Sequence, residues 1–303
     1  MPRSDAWLRR ALAFGVIASL TLAACGTSST SPSAATAAPS LAPGDTPAPT
    51  EEASQAGGTI YMFTLSEEWD DVDPQRAYTG EDLAFFGATI MRSLTSFVYS
   101  QDAAVANTLQ GDLATDTGTA TPDATEWSFT LRDGVSWQDG SELTCEDVKY
   151  GVSRTFATDI ITNGPTYAIQ YLDVPKADDG TSQYKGPYTG EGQDLFDQAV
   201  TCEGKTITFR LNQPVADFNY TVTLGFSPVP EAMDTGETYT NEVFSNGPYK
   251  IEEYTKGNGG HFLLTRNENW NRDSDPIRPA YPDQWEVLFG IDAKIGDQRL
   301  IAS

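Results

Sequence analysis

The chain has 303 residues, 39% of them hydrophobic and 11% aromatic, enough for one large or two ordinary domains with a substantial core. Lys and Arg number 19 against 43 Asp and Glu, for a formal net charge of -24. So acidic a surface repels nucleic acid and anionic lipid, which excludes both as principal partners and suits a well-hydrated protein.

Arg3, Arg9 and Arg10 precede a short apolar run at 11–23. A permanent membrane helix needs roughly 20 apolar residues, so residues 1–24 read as a secretory signal instead. Leu22-Ala23-Ala24-Cys25 closes the run and resembles the lipobox of bacterial lipoproteins. That resemblance implies a diacylglycerol on the Cys25 thiol and cleavage just before it. The alternative is an ordinary signal peptide with an incidental cysteine. Residues 25–57 are rich in Ser, Thr, Ala and Pro, with Leu41 as the one large aliphatic side chain. They cannot bury enough surface to offset the entropy of ordering, and read as a disordered, lipid-anchored tether.

The folded body begins near Gly58 with a strand at 59–64. Glu67, Glu68, Asp70, Asp71 and Asp73 follow; they lack the alternate-position loop and closing glutamate of an EF-hand, so they read as a solvated turn rather than a calcium site. Helical spacing of apolar residues predicts a helix over 83–98. Residues 126–131 alternate as a half-buried strand does, and 135–137 form a second short strand after the Asp133-Gly134 turn. Thr144 is a good N-cap and Asp147 makes a loose capping box with it, opening a helix over 145–156 with Val148, Val152 and Phe156 on one face. An exposed loop over 175–194, a strand at 206–211, a short helix within 216–224, a hairpin from 249–254 and 261–266, and a last strand at 284–289 complete the chain. No internal repeat is present. The irregular mixture of helices and strands favours a mixed α/β or α+β fold over a doubly wound sheet.

Cys145 and Cys202 remain after Cys25. In an exported chain such a pair suggests one disulfide, worth about 4 kcal/mol by chain-entropy arithmetic; two buried free thiols are the alternative. Chemistry is otherwise scarce. His261 is the one histidine, so no Cys/His cluster of the zinc type exists, and neither a nucleophile elbow nor a phosphate-cradling loop occurs. The chain therefore reads as neither an enzyme nor a cofactor carrier. Its 6 Trp, 13 Tyr and 14 Phe could line a cleft for an organic ligand, although core packing must account for most of them.

Four segments together carry a resemblance. They are Trp127-Ser-Phe-Thr-Leu-Arg-Asp-Gly-Val-Ser-Trp-Gln-Asp-Gly140 with Leu143-Thr-Cys-Glu-Asp-Val148; Phe209-Arg-Leu-Asn-Gln-Pro214 with Phe218; Phe226-Ser-Pro-Val-Pro230; and Asn246-Gly-Pro-Tyr-Lys250 with Leu264-Thr-Arg-Asn-Glu-Asn-Trp270. In this order the chain resembles the family 5 solute-binding proteins of ABC importers, which carry dipeptides, oligopeptides and nickel. Cys145 stands where the family usually has alanine. The resemblance implies a class II periplasmic-binding-protein-like lobe, with domain I at 58–99 and 203–303 and domain II at 100–202. Family members carry a further large lobe, domain III, that the resemblance finds missing here, so the chain reads as a fragment or a truncated gene. It implies a lipid-anchored monomer outside the membrane that captures a peptide or similar small solute and passes it to a permease. The rival reading is a truncated surface lipoprotein without a transport role. By position, the ligand wall would come from Phe85, Met91, Arg92, Leu94, Phe226 and Ser227. Arg92 is a candidate partner for a ligand carboxylate, or else a plain surface arginine.

Overall fold

The computed structural model describes residues 56–302. The signal segment, Cys25 and nearly all of the expected tether lie outside the described residues. Among the described residues no helix is long and apolar enough to cross a membrane.

The described chain enters as β1 (Thr59–Phe63), continues through an aspartate-rich loop into α1 (Gly80–Thr89), and then forms β2 (Thr95–Phe97). A single turn, α2 (Ala103–Ala106), leads to β3 (Leu109–Gly111), β4 (Thr119–Ala120) and β5 (Glu126–Thr130). Three helices follow: α3 (Cys145–Arg154), α4 (Tyr167–Tyr171) and α5 (Gln193–Ala199). Next come the hairpin β6 (Val200–Glu203) and β7 (Thr206–Arg210), then α6 (Phe218–Thr221). The chain closes with β8 (Tyr249–Thr255), β9 (His261–Arg266), β10 (Gln284–Leu288) and α7 (Ala293–Ala302).

Two four-stranded sheets organise these elements, in the orders β1-β10-β9-β8 and β4-β5-β7-β6, with β2 and β3 as a separate pair. Only β1 and β10 run parallel; every other pair in the three sheets is antiparallel. Strict alternation explains the second sheet. Trp127 and Phe129 on β5 face inward beside Ile207 and Phe209 on β7, while Ser128 and Thr208 share a hydrogen bond on the outer face.

Each sheet has its own core. Residues Leu94 to Phe226 supply one cluster, centred on Trp127, Phe129, Phe209 and Phe218. Val72 to Met91 and Val229 to Phe289 supply the other, centred on Phe86, Tyr249 and Phe262. A boundary at 202/203 would fall inside the β6–β7 hairpin, and β7 lies hydrogen-bonded between β5 and β6. The sheet is therefore not divisible at that point.

The α3 helix follows its sequence signature closely. Thr144 Oγ1 accepts from the Asp147 N–H, and Asp147 Oδ2 accepts from the Thr144 N–H at 2.7 Å. Val148, Val152 and Phe156 are buried, each worth about 1.5–3 kcal/mol of transfer free energy. Cys145, at the first turn of α3, is bridged to Cys202 on β6 with Cα atoms 5.9 Å apart.

Four local expectations need correcting. The helix expected over 83–98 stops at Thr89, because tertiary partners take the next hydrogen bonds: Asn246 Oδ1 accepts from the Arg92 N–H, and Ser93 and Leu94 carbonyls accept from residues 112–114. Gly247 permits this closeness, since a Cβ there would stand 2.4 Å from the Thr89 carbonyl oxygen. The acidic turn divides: Glu67, Glu68 and Asp70 are exposed as expected, whereas Asp71 and Asp73 are buried among polar partners, as is Asp82 on α1. Residues 135–137 make one bridge, Ser136 to Glu142, rather than a strand. The 175–194 segment is only partly exposed, since Tyr184 is buried and stacks on Phe196 of α5 at 4.7 Å.

Candidate functional site: a neutral cleft floored by buried arginines

The loop after α1 turns sharply inward because Arg92 has partners there. Its Nε donates to Asp112 Oδ1 at 2.8 Å, and NH2 donates to the Asp112 and Ser274 carbonyls. Arg278 meets the same carboxylate from the opposite side, with NH2 2.8 Å from Asp112 Oδ2, and also pairs with Asp275. Its remaining donors reach the Gly87 and Met91 carbonyls at the end of α1. Two arginines and two aspartates thus neutralise one another inside the protein. Burial works to raise the Asp275 carboxyl, but Arg278 and Arg92 beside it, with the Ile277 and Trp270 N–H donors, outweigh burial and hold it at about 2. Burial likewise opposes the charge on Arg278, yet Asp112 and Asp275 keep its pKa above the ordinary value.

A second buried network joins the aspartate-rich loop to α3. Arg154 forks onto both oxygens of Asp73, at 2.8 and 2.6 Å, and its Nε reaches Asp234 Oδ2 at 3.0 Å. Asp234 Oδ2 also accepts from the Tyr150 and Tyr188 hydroxyls. Burial pushes Asp234 up, but Arg154 and these hydroxyls bring its carboxyl below the usual value. Gln75 spans from Arg154 to the Ser227 carbonyl, so this network also sets the 225–228 loop.

Between the networks lies a cleft of about 370 Å³. Leu83, Ala84 and Gly87 on α1 form one wall, Phe97 and Tyr99 a second, and Thr223, Leu224, Gly225 and Ser227 a third. Its floor is Met91, Arg92 and Arg278. Elsewhere on the surface Tyr78 is 56% exposed, and the Tyr167 and Tyr171 rings stack on each other. Phe97 and Tyr220 form another exposed ring pair, 6.2 Å apart.

Of the six residues expected to contact ligand, Met91, Arg92 and Ser227 border this cleft. The other three pack into the cores. Phe85 stacks on Trp69 at 5.0 Å, Leu94 is fully buried in the first cluster, and Phe226 sits edge-on to Phe209 and Phe218. Arg92 is neither a surface residue nor a free anion partner: it is 1% exposed and committed to Asp112 and Ser274. Leu83 and Phe97 also line the cleft and are not among the six. The signal available for Phe97 was only its aromatic type, because its exposure depends on which loops meet. Among the described residues no group of His, Cys, Asp and Glu is arranged to hold a metal ion. His261 lies between Glu253 and Glu286 on the neighbouring strands, with one glutamate near each ring nitrogen.

Comparison with known proteins identifies the frame. Residues 108–297 match the model of the bacterial extracellular solute-binding proteins, family 5 Middle. The oligopeptide-binding protein OppA of Bacillus subtilis strain 168 is 29% identical over 163 residues, which are 52% of this chain and 28% of the relative. OppA of Escherichia coli K12 is 28% identical over 137 residues, 44% of this chain and 24% of the relative. The solved structure of clavulanic acid biosynthesis oligopeptide binding protein 2 is 32% identical with a TM-score of 0.71, covering 82% of this chain and 43% of that protein. OppA of Listeria monocytogenes bound to peptide has the same fold at 17% identity, with a TM-score of 0.61 over 80% of this chain and 45% of that one. These relatives are binding proteins rather than enzymes, and this chain spans less than half the length of each. With the greater part of its sequence matched from β3 to α7 and its fold shared, the chain belongs to the bacterial extracellular solute-binding proteins, family 5.

Proposed function

We propose that the chain is the substrate-binding component of an ABC importer, capturing short peptides outside the membrane and delivering them to a permease. The observation that carries this reading is the 32% identity over 82% of the chain to a protein named for oligopeptide binding. The cleft beside α1 supplies an open face on which an extended ligand can lie. Met91 and Ser227 meet the ligand there, while Arg92 holds the floor in place. Binding requires no covalent chemistry.

The basic start, short apolar run and Leu22-Ala-Ala-Cys25 support export and lipidation at Cys25, with residues 25–57 as the tether of a monomer. Domain II runs from about residue 94 to 226, following the first core cluster, and domain I takes the flanking segments. The test is mass spectrometry of small molecules retained by the native protein purified from membranes, followed by calorimetric titration with a short-peptide library. Retained peptides and saturable binding are expected. Retention of only non-peptide solutes, with no peptide titrating, would overturn the peptide assignment.

A further inference from the structure

The cleft beside α1 differs from an ordinary charged ligand site in one respect: its only formal charges are already spent. Among the described residues Arg92 and Arg278 are the sole charged residues bordering it. Each nitrogen of both guanidiniums has a partner inside the protein, and Asp112 and Asp275 behind them match the two positive charges. The Tyr99 hydroxyl donates to the Ala84 carbonyl at 3.2 Å. What faces the space is therefore Leu83, Ala84, Met91, Phe97 and Leu224, with small Ser and Thr hydroxyls between them.

We infer that this cleft is a specificity pocket for one uncharged, apolar side chain of the bound peptide, aromatic or branched aliphatic, and not for a peptide terminus. The inference rests on the peptide-binding reading above and deepens it. A carboxylate or ammonium entering the cleft would lose water and find no unpaired counter-charge, which burial penalises. An apolar group loses nothing of that kind and gains contact with five apolar walls. The volume, about 370 Å³, lies at the low end of the roughly 300–1,000 Å³ that small-ligand pockets occupy, so it suits one side chain rather than a whole oligopeptide. Electrostatic complementarity here means a neutral guest for a neutral wall. Ala84, on the exposed side of α1, gates the volume: a larger side chain there fills the pocket without touching either ion network.

The experiment labels the methionine methyls of the native protein with ¹³C. Met91 floors the cleft, whereas Met62 packs against the second core and Met233 lies elsewhere on the surface. N-acetyl-phenylalaninamide is titrated against N-acetyl-glutamate amide, with wild type and Ala84→Phe, and peptides differing only by Phe, Gly or Glu at one position are titrated in parallel. The expected result is a saturable shift of the Met91 signal with the phenylalanine probe and none with the glutamate probe. Ala84→Phe abolishes that shift and lowers the preference for Phe over Gly peptides at least fivefold. Peptide binding with a Phe preference that Ala84→Phe leaves intact overturns the pocket while sparing the peptide reading. A Met91 response to the probe without binding of any peptide supports the pocket and removes the peptide reading. A response to the glutamate probe equal to that of phenylalanine overturns the pocket outright.

Discussion

The Arg154 network and the Arg92–Arg278 network are both buried and both tie together segments far apart in sequence, yet they balance charge differently. Arg154 faces two carboxylates, Asp73 and Asp234, and the excess negative charge is relieved by neutral donors from Tyr150, Tyr188 and the Gln75 backbone. Arg92 and Arg278 face two carboxylates with two cations, and their surplus donors go to backbone carbonyls. The first network depends on one irreplaceable cation. The second shares its load between two cations while bordering an open cleft.

That difference can be broken most sharply by removing cations. Arg154→Met strands two carboxylates with no cation and is expected to lower stability by the upper part of about 3–5 kcal/mol in urea denaturation; Arg278→Met leaves Arg92 in place and falls in the lower part of that range. A larger loss for Arg278→Met than for Arg154→Met contradicts the comparison. The disulfide offers a second lever, since it ties α3, and with it Arg154, to β6. Cys145→Ala with Cys202→Ala is expected to cost about 2–4 kcal/mol, and a reductant should reproduce the loss in wild type. Hydrogen exchange should then rise in β6 and α3 before β8 to β10; uniform acceleration would show that the two cores do not respond separately.

Acid sharpens the comparison further. Asp275 is lowered from 3.8 to about 2 in the folded protein, so its contribution is present above the unfolded value and is lost as pH falls from about 4 toward 2. That amounts to about 2 kcal/mol, and Asp275→Asn should flatten the acid limb of the stability curve. Asp71 and Asp82 act with the opposite sign. Burial raises both carboxyls, so they bind protons more tightly when folded and favour the native state as pH falls through their raised values. The smallest change is Tyr188→Phe, which removes one of the donors to Asp234 and is expected to cost about 1 kcal/mol by thermal denaturation. No measurable loss would mean that Tyr150 and Arg154 suffice to hold that carboxylate.

Local signals were legible where a short segment carries its own reason. Thr144 and Asp147 cap α3 within four residues of chain, and the alternation at Trp127 to Phe129 and Ile207 to Phe209 declares two strands with a buried face. The misreadings share one cause. Residues 90–94 have helical periodicity, but Asn246 and residues 112–114 claim their backbone groups. Asp71 and Asp73 have the composition of a solvated turn, but Arg154 and Thr240 meet them from elsewhere in the chain, and Arg76 closes on Asp71 from five residues away. A ligand wall was expected at Phe85, Met91, Arg92, Leu94, Phe226 and Ser227, and of these only Met91, Arg92 and Ser227 border the cleft. Phe85, Leu94 and Phe226 looked equally eligible, and only packing assigned them to the cores.

The sequence by itself determined the family, the alternation of the sheets, the start of α3 and the eligibility of Cys145 and Cys202 to pair, because each depends on residue type at short spacing or on a register of motifs. Only the tertiary structure decided that Arg92 is a buried brace paired to Asp112 and Ser274, and that a cleft opens beside α1. Both follow from where Asp112, Ser274, Asp275 and Arg278 arrive. Charge compensation across such separations is set by packing, and no local pattern in the chain encodes it.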